Sequence, residues 1–465
     1  MCALRRLLAK AADFIRESDK ILLIICIFTS LYGCAAVFSA THYRATYRPF
    51  LIQFICFAAG VVAALIISAV DYSKILRYWY LAVALGVIPV MLTFFIGFAP
   101  EGTDDKAWLD LGFTTFQPAE LLKICFVLTF SAHISAVKPN INKLKYLIPV
   151  CLHGAFPVLL IHFQGDDGTA LVFAVMVVFM LWAAGVSKKY FLAMIPVILI
   201  AAPILYFFIM NDDQRDRLTA IFGVLNFGAK RDPNEQWPTY QQWRGRTALA
   251  NGGFAGQGFL NGDFTQNGIV PYGFNDFIFV SIGEELGFLG CMAVILLLGG
   301  ICFRCLQVAR LSKKDSGKLI CVGIFAMIFT QAVINIGMCT SVLPVIGITL
   351  PFFSAGGTSL LCLYLGIGLV LNVYHSVNRV QLEEHLKSWL KPILSSIVNE
   401  VAQSMEISQE NREFVTDVYV LMMVGFFMEW MEYDMPKDKL GKLDKLFYCM
   451  DGSIAYTLEK FEETK

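Results

Sequence analysis

Charge is scarce in this 465-residue chain: Asp, Glu, Lys and Arg make up 16% of it and cancel to a formal net charge of +0. A soluble globular domain carries about 25% charged residues. The shortfall excludes an ordinary cytosolic enzyme and a disordered chain, and the missing basic surplus argues against a nucleic-acid binder. Ligand patterns are missing as well. The 13 cysteines are scattered, mostly inside apolar runs, so a disulfide scaffold is not expected. Cys302 and Cys305 form a lone C-x-x-C with no second pair and no nearby His, a poor candidate for metal or redox chemistry. The six His residues build no H-E-x-x-H set; His153 and His162 read as helix–helix hydrogen-bonding groups.

What the chain has instead is apolar residues, 57% of the total, gathered into long blocks. About 20 apolar residues cross a bilayer as a helix. Ten blocks qualify, at about 21–40, 50–70, 78–98, 117–136, 146–163, 168–186, 190–210, 276–303, 319–341 and 350–374. The first follows a basic stretch, as a signal peptide would, but it is too long for an ordinary signal core and nine more follow. Residues 3–17 mix apolar and basic residues at helical spacing and predict a short helix lying on the membrane surface. Seventeen Lys and Arg fall in the segments that face inward if the N-terminus is cytoplasmic, against Arg44, Arg48 and Lys106 in the short outer loops. The positive-inside rule therefore puts both termini in the cytoplasm. The expected fold class is an all-α polytopic membrane protein: a ten-span domain over residues 1–375, with a long outer loop at 211–275, and a helical cytoplasmic extension over 376–465. In that extension Leu386, Trp389, Leu390, Ile393 and Ile397 recur at helical spacing, and Val418–Trp430 reads as a buried helix of a small bundle.

Polar groups inside spans are costly and point to function. F-Q-P-A-E-L-L-K opens the fourth span, with Pro118 suited to a first helical turn. Glu120 and Lys123 sit three residues apart on one face, where they pair either structurally or for function. The eighth span opens N-D-F-I-F-V-S-I-G-E-E-L-G-F-L-G. Asp276 stands at its outer boundary as a cap or a functional acid, Gly283 and Gly287 permit close approach of a neighbour, and Glu284 and Glu285 lie deeper, where at least one must find a partner. G-G-F-A-G-Q-G (Gly252–Gly258) lacks the preceding strand and the following G-K-[ST] of a nucleotide loop, although its amides could contact a phosphate. Arg215, Arg217, Lys230, Arg231, Arg244 and Arg246 share the outer loop with six acids, as an anion site or a solvated mixed surface. L-P-V-I-G-I-T-L-P-F-F-S-A-G-G-T-S is dense in Pro and Gly at membrane depth, where irregular backbone survives only inside protein or along a polar cavity. Together these features describe a bundle with an outward polar cavity.

These segments, with Q-R-D-R-L (Gln214–Leu218) and N-I-G-M (Asn335–Met338), resemble in order and placement the shape, elongation, division and sporulation proteins, the SEDS family of RodA, FtsW and SpoVE. The likeness spans about residues 15–375. It implies a membrane glycosyltransferase that polymerises lipid II into peptidoglycan outside the bacterial cytoplasmic membrane, in elongation, division or sporulation, beside a class B penicillin-binding protein. It also implies that Asp276 is the catalytic acid of the family's H-T-D-F-I-F motif. Trp108, Glu120, Lys123 and Arg217 fall on the family's motif positions, and Arg246 matches RodA more than FtsW. Arg215, Arg217 and Lys123 become candidates for the substrate's pyrophosphate charge, with or without a magnesium or manganese ion. Ser354, Gly356 and Gly357 join the substrate-binding set.

The chain departs from the family pattern in places. Lys106 and Ala107 precede Trp108 where arginine is usual. Q-P-D-L-G-T is here Q-G-D-D-G-T (Gln164–Thr169), which places an extra acid, Asp167, near the expected site. Y-Q-x-x-Q-S has become Tyr240 and Gln241 followed by Arg244 and Gly245, and Phe274 and Asn275 replace the His and Thr before Asp276. With the acid and the Glu–Lys pair retained, the expectation is an active, divergent enzyme. The alternatives are a lipid II flippase, which needs the same groove but no positioned base, and a non-catalytic scaffold of a cell-wall complex. The extension beyond 376 lies outside the likeness and resembles the C-terminal helices of TetR-type regulators.

Overall fold

The structure, a computed structural model, describes residues 19–99, 106–112, 115–210, 215, 240–432, 448 and 452–463. The expected surface helix at 3–17 lies outside these residues. Contacts divide the chain into two units, Met1–His375 and Ser376–Lys465.

In the first unit, helices α1 (Lys20–Thr41), α2 (Arg48–Ser68) and α3 (Trp79–Ile96) precede a small antiparallel pair, β1 (Leu109–Asp110) with β2 (Thr115–Phe116). Then come α4 (Pro118–Val137), α5 (Leu144–Phe163), α6 (Asp167–Ala184) and α7 (Lys188–Ile204). Further along the chain, α8 (Tyr240–Gly252) leads to α9 (Ile278–Leu311), α10 (Asp315–Cys339) and α11 (Gly357–Val401). Among the described residues ten helices, all but α8, are long and apolar enough to cross a membrane. Local chemistry sets their ends. Asp19 caps α1 by accepting from the Leu22 amide at 3.1 Å, and its other oxygen meets Arg304 Nε at 2.6 Å. Asp166 caps α6 through the Thr169 amide at 2.8 Å, and Gly185 ends that helix in the left-handed region (φ 86°).

Two expected spans shift. The eighth reaches from Ile278 to Leu311, so Asp276 lies two residues ahead of it. The tenth begins at Gly357 rather than near 350, because the Pro- and Gly-rich stretch before it stays irregular. Burial is uneven in a way hydropathy does not reveal. α10 is buried along most of its length, whereas no residue of α7 is buried. In lipid, apolarity alone does not draw helices together, so packing decides which of them form the centre.

The second unit has its own core. The end of α11 packs with α12 (Gln409–Glu432) and α13 (Ser453–Glu463) through Leu394, Val398, Val415, Tyr419, Val424 and Leu458. The expected inward stripe turns out to be rotated. Leu386 and Leu390 pack against the core, but Trp389 is 69% exposed and Ile393 56%, the inward face being continued by Leu394 and Val398. Val418 and Leu421 of the expected buried helix likewise face outward.

Candidate functional site

Asp276 sits in the turn that enters α9, and three neighbours fix the backbone around it. The side-chain amide of Asn335, fully buried on α10, donates to the Asp276 carbonyl at 2.8 Å and to the Ile348 carbonyl at 2.7 Å. Ser354 Oγ donates to the Asn275 carbonyl at 2.8 Å and accepts from the Leu350 amide at 2.7 Å. The Ala355 amide donates to the Phe274 carbonyl at 2.9 Å. The irregular segment before α11 therefore wraps the Asp276 turn, and its unpaired backbone polar groups are satisfied there. Gly347 (φ 68°) lies so close that a Cβ there would be 3.7 Å from Asp276 Oδ2.

Other charges converge on the same end of the bundle. Glu120 and Lys123 pair at 2.8 Å with both side chains buried, and Ser359 Oγ donates to the second Glu120 oxygen at 3.2 Å. Gln117 Nε2 donates to Asp166 Oδ2 at 3.0 Å, tying the start of α4 to the start of α6. Withdrawal from solvent, then the neighbouring Asp166 carboxylate, pushes Asp276 up to about 6. Burial raises Asp166 above the ordinary carboxylate range as well, partly opposed by its hydrogen bonds with Thr169 and by Lys123. The first turn of α6 packs on the irregular segment, where Gly168 leaves room for the Ile346 carbonyl. Two acids and an ion pair thus share one polar corner.

The described part of the long loop is fastened to this corner. On α8, Gln242 Nε2 donates to the carbonyls of Leu343 (2.7 Å) and Met338 (3.3 Å), and Gly245 packs against Phe277 and Val280. The glycine-rich segment fits a kink in α9, where Gly287 takes non-helical dihedrals (φ 66°, ψ −161°). The amides of Gln257 and Gly258 donate to the carbonyls of Glu284 (3.0 Å) and Glu285 (2.9 Å), while those of Phe288 and Leu289 donate back to Gly253 and Phe254. The amides of Gln257 and Gly258 are thus engaged with protein rather than open to a phosphate. Both buried acids find partners. Glu284 accepts from the amides of Phe264 and Thr265 (each 2.8 Å) and from Thr265 Oγ1 (2.6 Å). Glu285 accepts from Ser39 Oγ (2.5 Å) and Gln266 Nε2 (2.7 Å). The two carboxylates hold the loop to the membrane helices, which a polar group at that depth requires.

The structure brings together Asp276, Glu120, Lys123 and Ser354 from the expected set. Gly356 donates its amide to Gln53 Oε1 at 3.2 Å, and Gly357 lies against Cys56 and Ile52, so both position the irregular segment on α2. Trp108 accepts from the Phe98 amide at 2.9 Å, in a bridge beside β1. Arg215 Nε donates to the Tyr206 carbonyl at 3.0 Å, and Arg246 is half-buried on α8. Arg217 lies outside the described residues. The extra acid, Asp167, pairs with His162 at 2.5 Å, whereas the neighbouring Asp166 is the acid whose charge acts on Asp276. His153 meets Thr129 (3.3 Å) and His133 (3.0 Å), as a helix–helix contact should. Sequence reasoning assigned no role to Asp166, Gln117 or Asn335. The signals were present, in the retained acid of Q-G-D-D-G-T, in F-Q-P-A-E and in N-I-G-M, but only the fold places them together.

Comparison with known proteins identifies the family. Residues 19–379 match the cell cycle protein family of FtsW, RodA and SpoVE, and residues 368–452 match a transcriptional regulator C-terminal region. The peptidoglycan glycosyltransferase MrdB of Escherichia coli K12 is 32% identical over 273 residues, 58% of this chain and 70% of that one. The probable peptidoglycan glycosyltransferase FtsW of Geobacter metallireducens is 30% identical over 371 residues, 77% of this chain and 95% of that one. Among solved structures, a chain of a peptidoglycan synthase complex that coordinates polymerization and crosslinking superposes with a TM-score of 0.65 at 25% identity, covering 77% of this chain and 98% of that one. The rod shape determining protein RodA of Thermus thermophilus shares the fold with a TM-score of 0.57 at 23% identity, covering 77% and 97%. The chain belongs to the FtsW, RodA and SpoVE family, the SEDS proteins.

Proposed function

We propose that the chain is a peptidoglycan glycosyltransferase that polymerises lipid II at the outer face of the cytoplasmic membrane, with Asp276 as general base. The observation that carries the reading is an acid whose backbone turn Asn335 and Ser354 hold at the entry to α9, with its pKa raised to about 6. A base is most useful when its pKa lies near the working pH. In the reaction Asp276 takes the proton of the acceptor sugar's 4-hydroxyl as that oxygen attacks the donor's anomeric carbon. The bond to the diphosphate breaks, the electron pair leaves with the phosphate oxygen, and the anomeric centre inverts. A flippase needs no acid so placed. Lys123, Arg215 and Arg217 are candidates to meet the leaving charge. Trp108, Arg246, Gly356 and Gly357 complete the proposed substrate-binding set.

A magnesium or manganese ion fits the same corner on one count. Asp166 and Asp276 offer two carboxylates, as in magnesium sites that substrate phosphates complete, although among the described residues no three potential ligands come together. When bound, such an ion would neutralise diphosphate charge. Orientation with both termini cytoplasmic is supported by the inward excess of Lys and Arg. A class B penicillin-binding protein is the proposed partner, supported by the likeness to a chain of a complex that couples polymerization to crosslinking.

The test incubates purified protein, with its partner where needed, with labelled lipid II. Wild type should make glycan polymer and Asp276→Asn none. Equal polymer from both would remove Asp276 as the base, and none from either would favour transport or scaffolding.

A further inference from the structure

The corner around Asp276 is rich in carboxylates, and Arg44 stands beside its turn with the guanidinium carbon 4.3 Å from the centroid of the Phe274 ring. Asp276, Asp166 and Glu120 supply three carboxylates, and the ammonium of Lys123, on α4 beside them, is engaged by Glu120 at 2.8 Å. A leaving diphosphate approaching that corner has these carboxylates to overcome, and each further cation there would ease its departure. An arginine on α8 is held with one donor unused. The Arg244 guanidinium lies over the Tyr240 ring with its carbon 4.4 Å from the centroid, and its Nε is buried with no hydrogen-bond partner among the described residues.

The placement of Arg244 is fixed on both sides. Two residues earlier, Gln242 ties α8 to the carbonyls of Met338 and Leu343, which flank the entry to the irregular segment. The next residue, Gly245, packs on Phe277 and Val280, immediately after Asp276. α8 therefore cannot turn to offer Arg244 elsewhere without breaking both contacts. The Tyr240 ring holds the guanidinium in place and leaves the Nε–H to donate, as arginine donates to phosphate. Leaving such a donor buried without an acceptor is costly, and a charged acceptor returns more than a neutral one.

We propose that Arg244 binds the diphosphate of the polyprenyl-linked substrate, adding a cation to those at the Asp276 corner. The proposal rests on the glycosyltransferase reading for its setting but makes a separate claim about binding. It also gives a role to one departure from the family pattern, since Arg244 stands where Y-Q-x-x-Q-S carries glutamine.

The test uses the full chain in nanodiscs, carrying Asp276→Asn so that turnover does not intervene, with undecaprenyl diphosphate as probe and undecaprenyl monophosphate for comparison. Arg244→Gln should weaken diphosphate binding by about ten- to a hundredfold, the range for losing hydrogen bonds to a charged group. Monophosphate binding should fall less, and Arg244→Lys should recover part of the loss. With Asp276 intact, Arg244→Gln should raise KM for lipid II more than it lowers kcat, whereas a merely structural residue would lower folded yield without separating the two lipids. Unaltered protein gives an independent check: undecaprenyl diphosphate should shield Arg244 from phenylglyoxal, read by mass spectrometry. Equal diphosphate binding by folded Arg244→Gln, or unshielded Arg244, would overturn the proposal. Absence of polymer from wild type with diphosphate binding intact would overturn the polymerase reading alone.

Discussion

The Glu120–Lys123 pair offers the sharpest separation of structure from chemistry. Both side chains are buried, with the Lys123 side chain at 0% exposure and that of Glu120 at 5%. Replacing Lys123 by Met removes the ammonium but leaves the Glu120 carboxylate in place, still accepting from Ser359 Oγ at 3.2 Å. Breaking a buried pair in this way costs about 3–5 kcal/mol, most of it the uncompensated charge. Combining Lys123→Met with Glu120→Gln removes both charges at nearly constant volume, and the Gln oxygen can still accept from Ser359. Stability should return to within about 1 kcal/mol of wild type, because replacing a whole pair is often neutral. The double-mutant cycle then reads the coupling. If the pair also serves the reaction, polymerisation must not return with stability, since Lys123 also offsets the negative charge of Asp166. The assay pairs thermal unfolding in detergent with glycan polymer from lipid II, on all four proteins. A double variant that regains both would show the pair to be structural only and refute the reasoning.

Other expectations follow from the same geometry. With Asp276 near 6, polymerisation should fall as pH drops through about 6, whereas an ordinary carboxylate would hold the rate down to about 4; a flat kcat/KM profile from pH 8 to 5 would contradict it. Asp166→Asn removes a like charge, lowers the Asp276 pKa and should move that acid limb to lower pH in whatever activity remains. Asn335→Leu takes the amide donor from the carbonyls of Asp276, which keeps only the weak Cys339 thiol donor, and Ile348, costing about 1–3 kcal/mol for each by thermal unfolding and more in rate than in stability. Gly256→Ala places a side chain at φ 80° against the Glu285 carbonyl, so the loop should detach and become sensitive to protease. In the second unit, Leu458→Asp should unfold the tail core, and truncation after Asn378 should remove it, while either leaves lipid II polymerisation measurable; loss of the folded membrane unit would instead make the tail structural.

Ten spans were legible because a bilayer imposes a length and an apolarity that composition reveals directly. The irregular stretch before α11 was legible too, since Pro and Gly leave backbone groups that lipid cannot satisfy. The site was legible where a residue type is costly at its position, as with Asp276 and the Glu120–Lys123 pair. It was not legible where choice depends on rotation. Asp166 and Asp167 are adjacent carboxylates, and the direction in which α6 begins decides that the first meets Asp276 and the second meets His162. The glycine-rich loop looked open to a phosphate because a sequence shows free amides but not the carbonyls of a kinked helix awaiting them. The tail stripe was rotated for the same reason: apolar residues on two neighbouring faces of one helix do not say which face the core takes.

α7 carries a consequence for how this chain can change. None of its residues is buried, while α10 is enclosed along most of its length, although both are simply apolar in sequence. A saturation-mutagenesis map should therefore show two kinds of membrane helix. Along α7 almost any exchange among Leu, Ile, Val, Met and Phe should be silent, so selection there acts on composition and the letters drift freely. Along α10 a single methylene added beside Asn335 presses on the turn that carries Asp276, so each letter is held by its neighbours.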